Sequence, residues 1–530
     1  MASRCINCGG ILEYDIDSGK VKCQHCDSLY DAESFKVKTA AEEYEDLSHY
    51  KATIFVCPNC GAEIASTELD SVDYCMYCGS FVTLESQLTQ IEKPEWIIPF
   101  SKTKEDCKKA YKNFVKGKLY APSEFKDEKF IDGFRGVYVP FWNFSYEYGP
   151  KIMVRGADES RDGNYLVTQH YETTCDASGH IDNAIYDASS TFDDEISLGI
   201  APYHKEKMKK FNTSYMFGFY GDTADLGHTV YDEEADKDVH EALWKAVIKD
   251  EKLDDSYPVQ DVPETIASDF NMQKSAALAM LPVWFLTWRA GDRIAYSVMN
   301  GDTGELYTEI PVDIVKYLLY SVLTAVPIFF LLNEIVTFSA TEILGWAIFL
   351  DFIMIMLYVF ESDKVVRKVM HTDDRGFLAT HEEAKKASDE KVSENYITET
   401  CREIKEYIQG EKWYVLLFLC VASLFVLHYV LAAFFIGIVA TPLYTIYRLI
   451  DNAIILEDYS VWVDVSGALL SIVFAFGILI YDPAPDLPYY LSAVTCMLGV
   501  GFTAVCMVNR YNDLLTRPLP RFFSKKGGAL

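Results

Sequence analysis

Positive charge is in short supply. The chain holds 48 lysines and arginines against 78 aspartates and glutamates, a formal net charge of −30. Such a surface repels phosphate backbones and anionic headgroups, so nucleic acid is not an expected partner. Residues 156–270 are the extreme, with 9 basic and 26 acidic side chains, and residues 1–92 carry 6 and 16. Motifs that announce catalysis are also missing. No G-x-x-x-x-G-K-[ST] loop cradles nucleotide phosphates, the nearest text being "VKGKLY", and there is neither an HExxH helix nor a GxSxG elbow. "QHYETTCDASGHID" groups His170, Cys175 and His180 without a further ligand pair and reads as a chance grouping. The paired acids Asp193-Asp194 and Asp254-Asp255 sit in turn-like polar text and read as solvated. An enzyme is therefore the least expected class.

Cysteine, by contrast, is patterned. Cys5, Cys8, Cys23 and Cys26 recur 52 positions later as Cys57, Cys60, Cys75 and Cys78, with Gly9 matching Gly61 and Ser28 matching Ser80. Each C-x2-C pair curls into a knuckle, and two knuckles complete a tetrahedral four-thiolate site. Between the first knuckles, "ILEYDIDSGKVK" offers two short strands around the Asp17-Ser18-Gly19 turn, as in a zinc ribbon. Two Zn2+ per chain are expected; iron suits the same ligands. Disulfides are the rival reading. No secretion signal precedes the cysteines and the other six are scattered singly, so a reducing compartment is expected. His25, inside a knuckle, reads as a spacer. Four thiolates leave no open coordination position, so the metal should hold structure rather than catalyse.

The first 310 residues lack any long apolar run, and the remainder is dominated by them. Runs begin at 317–332 and 343–360 and continue at 413–447, 465–481 and 489–508, reading as transmembrane helices. The 361–412 loop carries ten lysines and arginines, and the tail adds Arg510, Arg517, Arg521, Lys525 and Lys526, whereas "NEIVTFSATE" and "DPAPDLP" carry none. Positive loops stay inside. That places both termini in the cytoplasm and makes 413–447 two helices, six spans in all, in the plasma membrane. Asp351 lies mid-span and His428 deep in the long run, forming a candidate intramembrane polar site for a proton or ion path; a structural hydrogen bond between helices, or Asp351 simply held protonated, is the plainer reading. Pro327 falls inside the first span.

Between 93 and 312 the text is aromatic and β-branched, punctuated by Gly, Pro, Asn and Asp, with one clear helix near 102–116. Ser101 or Thr103 can cap that helix and Gly117 can stop it, with Cys107, Ala110, Tyr111, Phe114 and Val115 on the apolar face. Lys104, Lys108, Lys112 and Lys116 form a ladder along another side, a solvated face or a dock for an anionic surface, the protein's own acidic region included. "GVYVPFWNFSYEY" and the stretch from "AMLPVWF" to 306 share a P-x-W core and read as strands, the latter a meander, with Trp142 and Trp284 as core aromatics.

The tandem CxxC pairs, "PEWIIPF", the lysine-rich helix ending in "GKLYAPSEF", and "GVYVPFW" resemble a family of bacterial membrane-associated proteins with a transcription-factor-B-type zinc ribbon, often labelled a replication helicase subunit. The resemblance spans roughly residues 50–310. It implies a zinc-ribbon head and a β-rich domain and no reaction. Members commonly carry one ribbon where this chain has two.

The expected architecture is multidomain: zinc ribbon 1 (1–35), a linker (36–52), zinc ribbon 2 (53–92), an acidic α+β, β-rich cytosolic domain (93–312), a transmembrane hairpin (313–360), a charged helical linker (361–412), further transmembrane helices (413–508) and a basic tail (509–530). The expected role is a membrane-anchored scaffold that binds proteins or itself as a homo-oligomer. Two rivals stand beside it, a transporter or channel with a regulatory zinc-ribbon head and a membrane-tethered nucleic-acid regulator.

Overall fold

The computed structural model describes residues 4–33, 35, 49–66, 75–80, 85–148, 151–162, 165–176, 179–239, 242, 272–334, 338–369, 445–450, 452 and 460–520. Ribbon 1 is a three-stranded antiparallel sheet of β1 (Leu12–Asp15), β2 (Lys20–Cys23) and β3 (Leu29–Asp31). The turn between β1 and β2 forms where expected: Gly19 takes φ +66° and Ser18 Oγ donates to Asp15 Oδ2 at 2.6 Å. Alternation along both strands buries Leu12, Tyr14, Val21 and Cys23 on one face.

Ribbon 2 is built differently. Its strands β4 (His49–Val56), β5 (Glu63–Ser66) and β6 (Glu85–Glu92) pair around β4 and continue into the large sheet of the following domain. After β7 (Trp96–Ile97) come α1 (Lys104–Lys116) and the single-turn α2 (Glu128–Ile131). Then follow β8 (Arg135–Tyr148), the long hairpin β9 (Lys151–Asp162) and β10 (Tyr165–Asp176), β11 (Gly179–Asp187) and α3 (Asp194–Gly199). Short strands β12 (Lys209–Lys210) and β13 (Tyr220–Asp222) precede the meander β14 (Met272–Ala290), β15 (Arg293–Asn300) and β16 (Leu306–Thr308). The twelve-stranded sheet runs β12-β7-β14-β8-β13-β5-β4-β6, with the remaining strands branching from β8 and β14. Thus the step at residue 92 is a change of sequence pattern and not a break in packing. Cys57, Cys60, Cys75 and Cys78 share one core with Val137, Leu281, Phe285 and Val298.

The two P-x-W stretches are neighbours in that sheet, β8 and β14 pairing antiparallel from Met272↔Tyr148 to Phe285↔Arg135. Trp142 and Trp284 are buried as expected. Each indole N–H is satisfied, Trp142 donating to the Leu226 carbonyl at 2.8 Å and Trp284 to that of Lys102 at 2.9 Å. Thr103, of the two expected caps, begins α1 through a reciprocal capping box with Asp106. Phe114 departs from the expected apolar face: it is exposed and the Lys118 ammonium lies over its ring at 4.6 Å.

Four described helices are long and apolar enough to cross a membrane: α4 (Ile314–Asn333), α5 (Ala340–Val369), α6 (Ser460–Tyr481) and α7 (Leu487–Leu515). Asp351 meets Ser471 and Tyr358 meets Asp464, so α5 and α6 are antiparallel. Asp464 meets Arg510, so α7 reverses α6. Lys368, at the end of α5, and Asp313, before α4, contact Glu309 and Tyr120 of the β-rich domain. Val369 and Ser460 consequently lie at the same end of the bundle. The other two expected spans, in 413–447, lie outside the described residues except for the helical 445–450, as does His428.

Candidate metal centres

Both cysteine quartets close into four-sulfur clusters whose sulfurs all lie within 4.8 Å of one another. In ribbon 1 the Cys5–Cys26 and Cys8–Cys23 sulfurs are 3.6 and 3.5 Å apart, and in ribbon 2 the Cys57–Cys78 and Cys60–Cys75 sulfurs are 3.7 Å apart. A tetrahedron of zinc–sulfur bonds of about 2.3 Å has edges of about 3.8 Å, so both donor sets fit zinc. All four knuckles fold alike. The residue after each second cysteine donates its N–H to the carbonyl of the first: Gly9 to Cys5, Asp27 to Cys23, Gly61 to Cys57 and Gly79 to Cys75, at 2.8–3.0 Å. Each of the four has positive φ, which glycine adopts freely and Asp27, at +54°, does not. The duplication extends to side chains, Asn7 donating to Ser28 and Asn59 to Ser80, both at 3.0 Å.

Surroundings separate the two sites. In ribbon 1 Cys8 and Cys26 are exposed, whereas all four ribbon 2 cysteines are buried. The Tyr30 hydroxyl, 3.1 Å from Cys5 Sγ, holds that thiol down to about 6. Hydrogen bonding with Cys60 holds Cys57 down to about 7, while contact with Cys57 and then Cys60 pushes Cys75 well above the ordinary thiol range.

Docking differs too. The second knuckle of ribbon 2 sits on the cross-strand pair Thr287↔Tyr296 of β14 and β15. Thr287 Oγ1 donates to the Met76 carbonyl and Tyr296 Oη to that of Tyr77 at 2.6 Å, while Arg289 reaches the Cys78 carbonyl and Ser80 Oγ. Ribbon 1 instead leans its hairpin on residues 209–217. Tyr14 N–H donates to the Phe217 carbonyl at 2.9 Å, Ser214 Oγ donates to the Ala32 carbonyl, and Lys209 pairs with Glu33 at 2.6 Å. Gln24 and His25, the counterparts of Met76 and Tyr77, are left in solvent, and Ile6 and Leu29 of the same ribbon are 72% and 52% exposed.

A second cluster, missed in the sequence, joins the β-rich domain to the bundle. After α7 the short β17 (Arg517–Pro518) pairs with β15 and carries Arg517 into the domain. Its guanidinium pairs with Glu309 at 2.8 Å and with Asp193, and faces the Tyr296 ring at 5.6 Å. Burial opposes its charge, but Glu309 and Asp193 outweigh that and raise Arg517 above its ordinary range. Lys368 of α5 also pairs with Glu309, at 3.0 Å. Arg510 and Arg517, counted with the basic tail, are thus structural: Arg510 pairs with Asp464 at 3.1 Å inside the bundle. No composition signal distinguishes them from solvated arginines.

The lysine ladder is partly spent on the protein's own acids. Lys108 bonds Glu105 and Asp132, and Lys112 bonds Glu128, all at 2.6–2.9 Å. Burial lowers the Lys104 ammonium, and Lys116 is exposed. His170 and Cys175 fall on β10 and His180 on β11, and the described residues hold no third metal-ligand cluster. Asp193, expected to be solvated, caps α3 and holds Arg517. Asp254 and Asp255 lie outside the described residues. Asp351 is fully buried, bonded to Ser471 Oγ at 2.7 Å.

No family model matches the chain, and no solved structure matches it. It is similar to the uncharacterized protein YdjG of Bacillus subtilis, 25% identical over 319 residues, which span 58% of this chain and 90% of YdjG.

Proposed function

We propose that this protein is a membrane-anchored scaffold whose first zinc ribbon recruits a protein partner, with one Zn2+ in each quartet. The observation that carries this reading is the unequal use of one duplicated surface. The knuckle that ribbon 2 spends on β14 and β15 is left open in ribbon 1, where Gln24 and His25 are exposed and Ile6 and Leu29 of the same ribbon face solvent as well. An exposed apolar patch on a rigid metal-held module suits protein contact, and a second copy of the chain is the first partner to test. Neither metal site has room for substrate, which supports a non-enzymatic role.

In this reading the β-rich domain and both termini are cytoplasmic, and six spans cross the plasma membrane. The shared position of Val369 and Ser460 favours an even number of passes between them, which agrees with the ten basic residues of the 361–412 loop. Two of the five tail arginines and lysines that pointed the same way are spent on structural pairs, so the loop carries most of the charge argument.

The test is photo-crosslinking in cells from residue 24 against residue 76. Intermolecular protein adducts at 24 that vanish in Cys23→Ser, with none at 76, are expected. Adducts at 24 confined to the same polypeptide or to lipid overturn the reading. The transporter alternative draws on the buried Asp351 alone.

A further inference from the structure

Asp351 lies on α5 with Ala468 and Ser471 of α6 and Cys496 and Gly499 of α7 around it. A Cβ added to Gly499 would stand 3.0 Å from Ser471 Oγ and 3.1 Å from both Asp351 Oδ1 and Ala468 Cα. The glycine therefore lets three helices meet at the carboxyl, and the gap it leaves is too tight for a methyl group and so for a hydrated metal ion.

The hydrogen bonds at this level count out a proton. Ser471 Oγ is 2.7 Å from Asp351 Oδ2 and 2.8 Å from the Ala468 carbonyl oxygen. A hydroxyl has one proton to donate, and a carbonyl oxygen only accepts. When Ser471 donates to Ala468, the short contact to Oδ2 is satisfied by a proton on the carboxyl donated to Ser471 Oγ. Oδ1 is buried without a hydrogen-bond partner in either assignment, and only an ionised Asp351 would place negative charge on it. An uncompensated carboxylate in hydrocarbon is the costlier arrangement. Cys496 is the titratable group that faces it, and no cation does so among the described residues.

Seven residues along α5 and α6 toward the β-rich domain, about 10 Å at 1.5 Å per residue, Tyr358 Oη donates to Asp464 at 2.6 Å and Arg510 Nη2 donates to it at 3.1 Å. Thr503 Oγ1 donates to the Asp464 carbonyl at 3.3 Å and lies between the two levels on α7.

We propose that Asp351 is a proton-binding site within the membrane bundle, carrying its proton on Oδ2 and exchanging it with the β-rich-domain side through the polar groups of Thr503, Asp464 and Tyr358. It does not depend on the scaffold reading, since the test below involves no partner. Infrared spectra of the full-length protein in liposomes at neutral pH are compared between wild type and Asp351→Asn. A protonated-carboxyl C=O band present in wild type, lost in the variant and shifted on transfer to D2O is expected. Wild type without such a band overturns the bound proton, and a band that does not shift in D2O overturns the exchange. Should Asp351→Asn fail to fold, Ser471→Ala serves: removing the acceptor moves the band if Oδ2 carries the proton, and an unmoved band overturns that assignment. Asp464→Asn slows the D2O shift if the column is the route, and an unchanged rate overturns the route.

Discussion

Ribbon 1 and ribbon 2 hold the same pair of knuckles, the same sulfur spacing and the same asparagine-to-serine hydrogen bond, and both enter the domain's core, yet by different faces: ribbon 2 buries its second knuckle, whereas ribbon 1 buries its hairpin and leaves that knuckle exposed. The difference traces to two residues inside the second knuckle. Met76 and the aromatic Tyr77 are buried against β14 and β15; Gln24 and His25 are polar and remain in water. A duplicated four-cysteine site can therefore be seated on its own chain by two different surfaces, with the ligand set unchanged. The lesson is that the ligand set does not settle what a zinc ribbon is for. The side chains between the ligands do.

The strongest way to break this comparison is to remove one ligand from each ribbon. Structural zinc in small domains is worth about 10–16 kcal/mol in apparent folding free energy, more than the net stability of most domains. Cys75→Ser should then unfold the β-rich domain along with ribbon 2, whereas Cys23→Ser should lose one zinc and lower the domain's thermal transition by less, since ribbon 1 shares a core with the domain but supplies no strand to its large sheet. Circular dichroism melts and native mass spectrometry read both, and equal loss of fold in the two variants would erase the distinction.

Next in size is the buried ion cluster on which ribbon 2 depends through Tyr296. Glu309→Ala removes the buried carboxylate that Arg517 and Lys368 share, leaving Asp193 and Glu195 as their partners, and should cost less than the roughly 3–5 kcal/mol of a fully unpaired buried charge, about 1–3 kcal/mol, lowering the melting midpoint of the detergent-solubilised protein. A midpoint within error of wild type would show that the cluster is not what holds the domain to the bundle. Tyr296→Phe orphans the buried Tyr77 carbonyl, a loss of about 1–3 kcal/mol, and should speed zinc transfer from the second site to a chelator while leaving the first site's rate alone.

Acid should sharpen the contrast. Protons compete with zinc for thiolate, so metal is bound at neutral pH and lost as pH falls. Ribbon 1, with Cys8 and Cys26 in solvent, should release its ion at the higher pH of the two; release from ribbon 2 first, followed by a zinc-sensitive dye, contradicts the burial difference. The smallest expected effect is Asp27→Gly, which relieves a non-glycine residue at φ +54°. It should stabilise ribbon 1 by up to about 1 kcal/mol and leave ribbon 2 untouched. A destabilised ribbon 1 would mean that the exposed 3.1 Å pair of Asp27 with Lys22 outweighs the strain.

Local chemistry was legible in the residues. Ligand spacing placed both quartets, the Ser18-Gly19 turn and Thr103 cap fell at expected positions, and four apolar runs became long helices. What escaped depends on contacts between distant positions. Nothing local announces that β5 would pair with β13, more than 150 residues on, or that Arg517 would close a cluster with Glu309 and Asp193. Asp351 was visible as an oddity in an apolar run, but its companions Ser471 and Cys496 are ordinary helix residues until three helices bring them together. Met76 and Tyr77 were readable as large, burial-prone spacers where ribbon 1 has Gln24 and His25, the signal that could have foretold the docking.

β17 also sets an order of events. Its residues follow the last described span, yet they finish an edge of a sheet whose other strands all precede the first. On the ribosome the β-rich domain stays incomplete, with Glu309 lacking the Arg517 guanidinium, until α7 has been made. Completion of the domain thereby becomes a report that α6 and α7 have been made and packed, and a chain stalled before that stage exposes an unfinished sheet edge to the proteases that clear such chains.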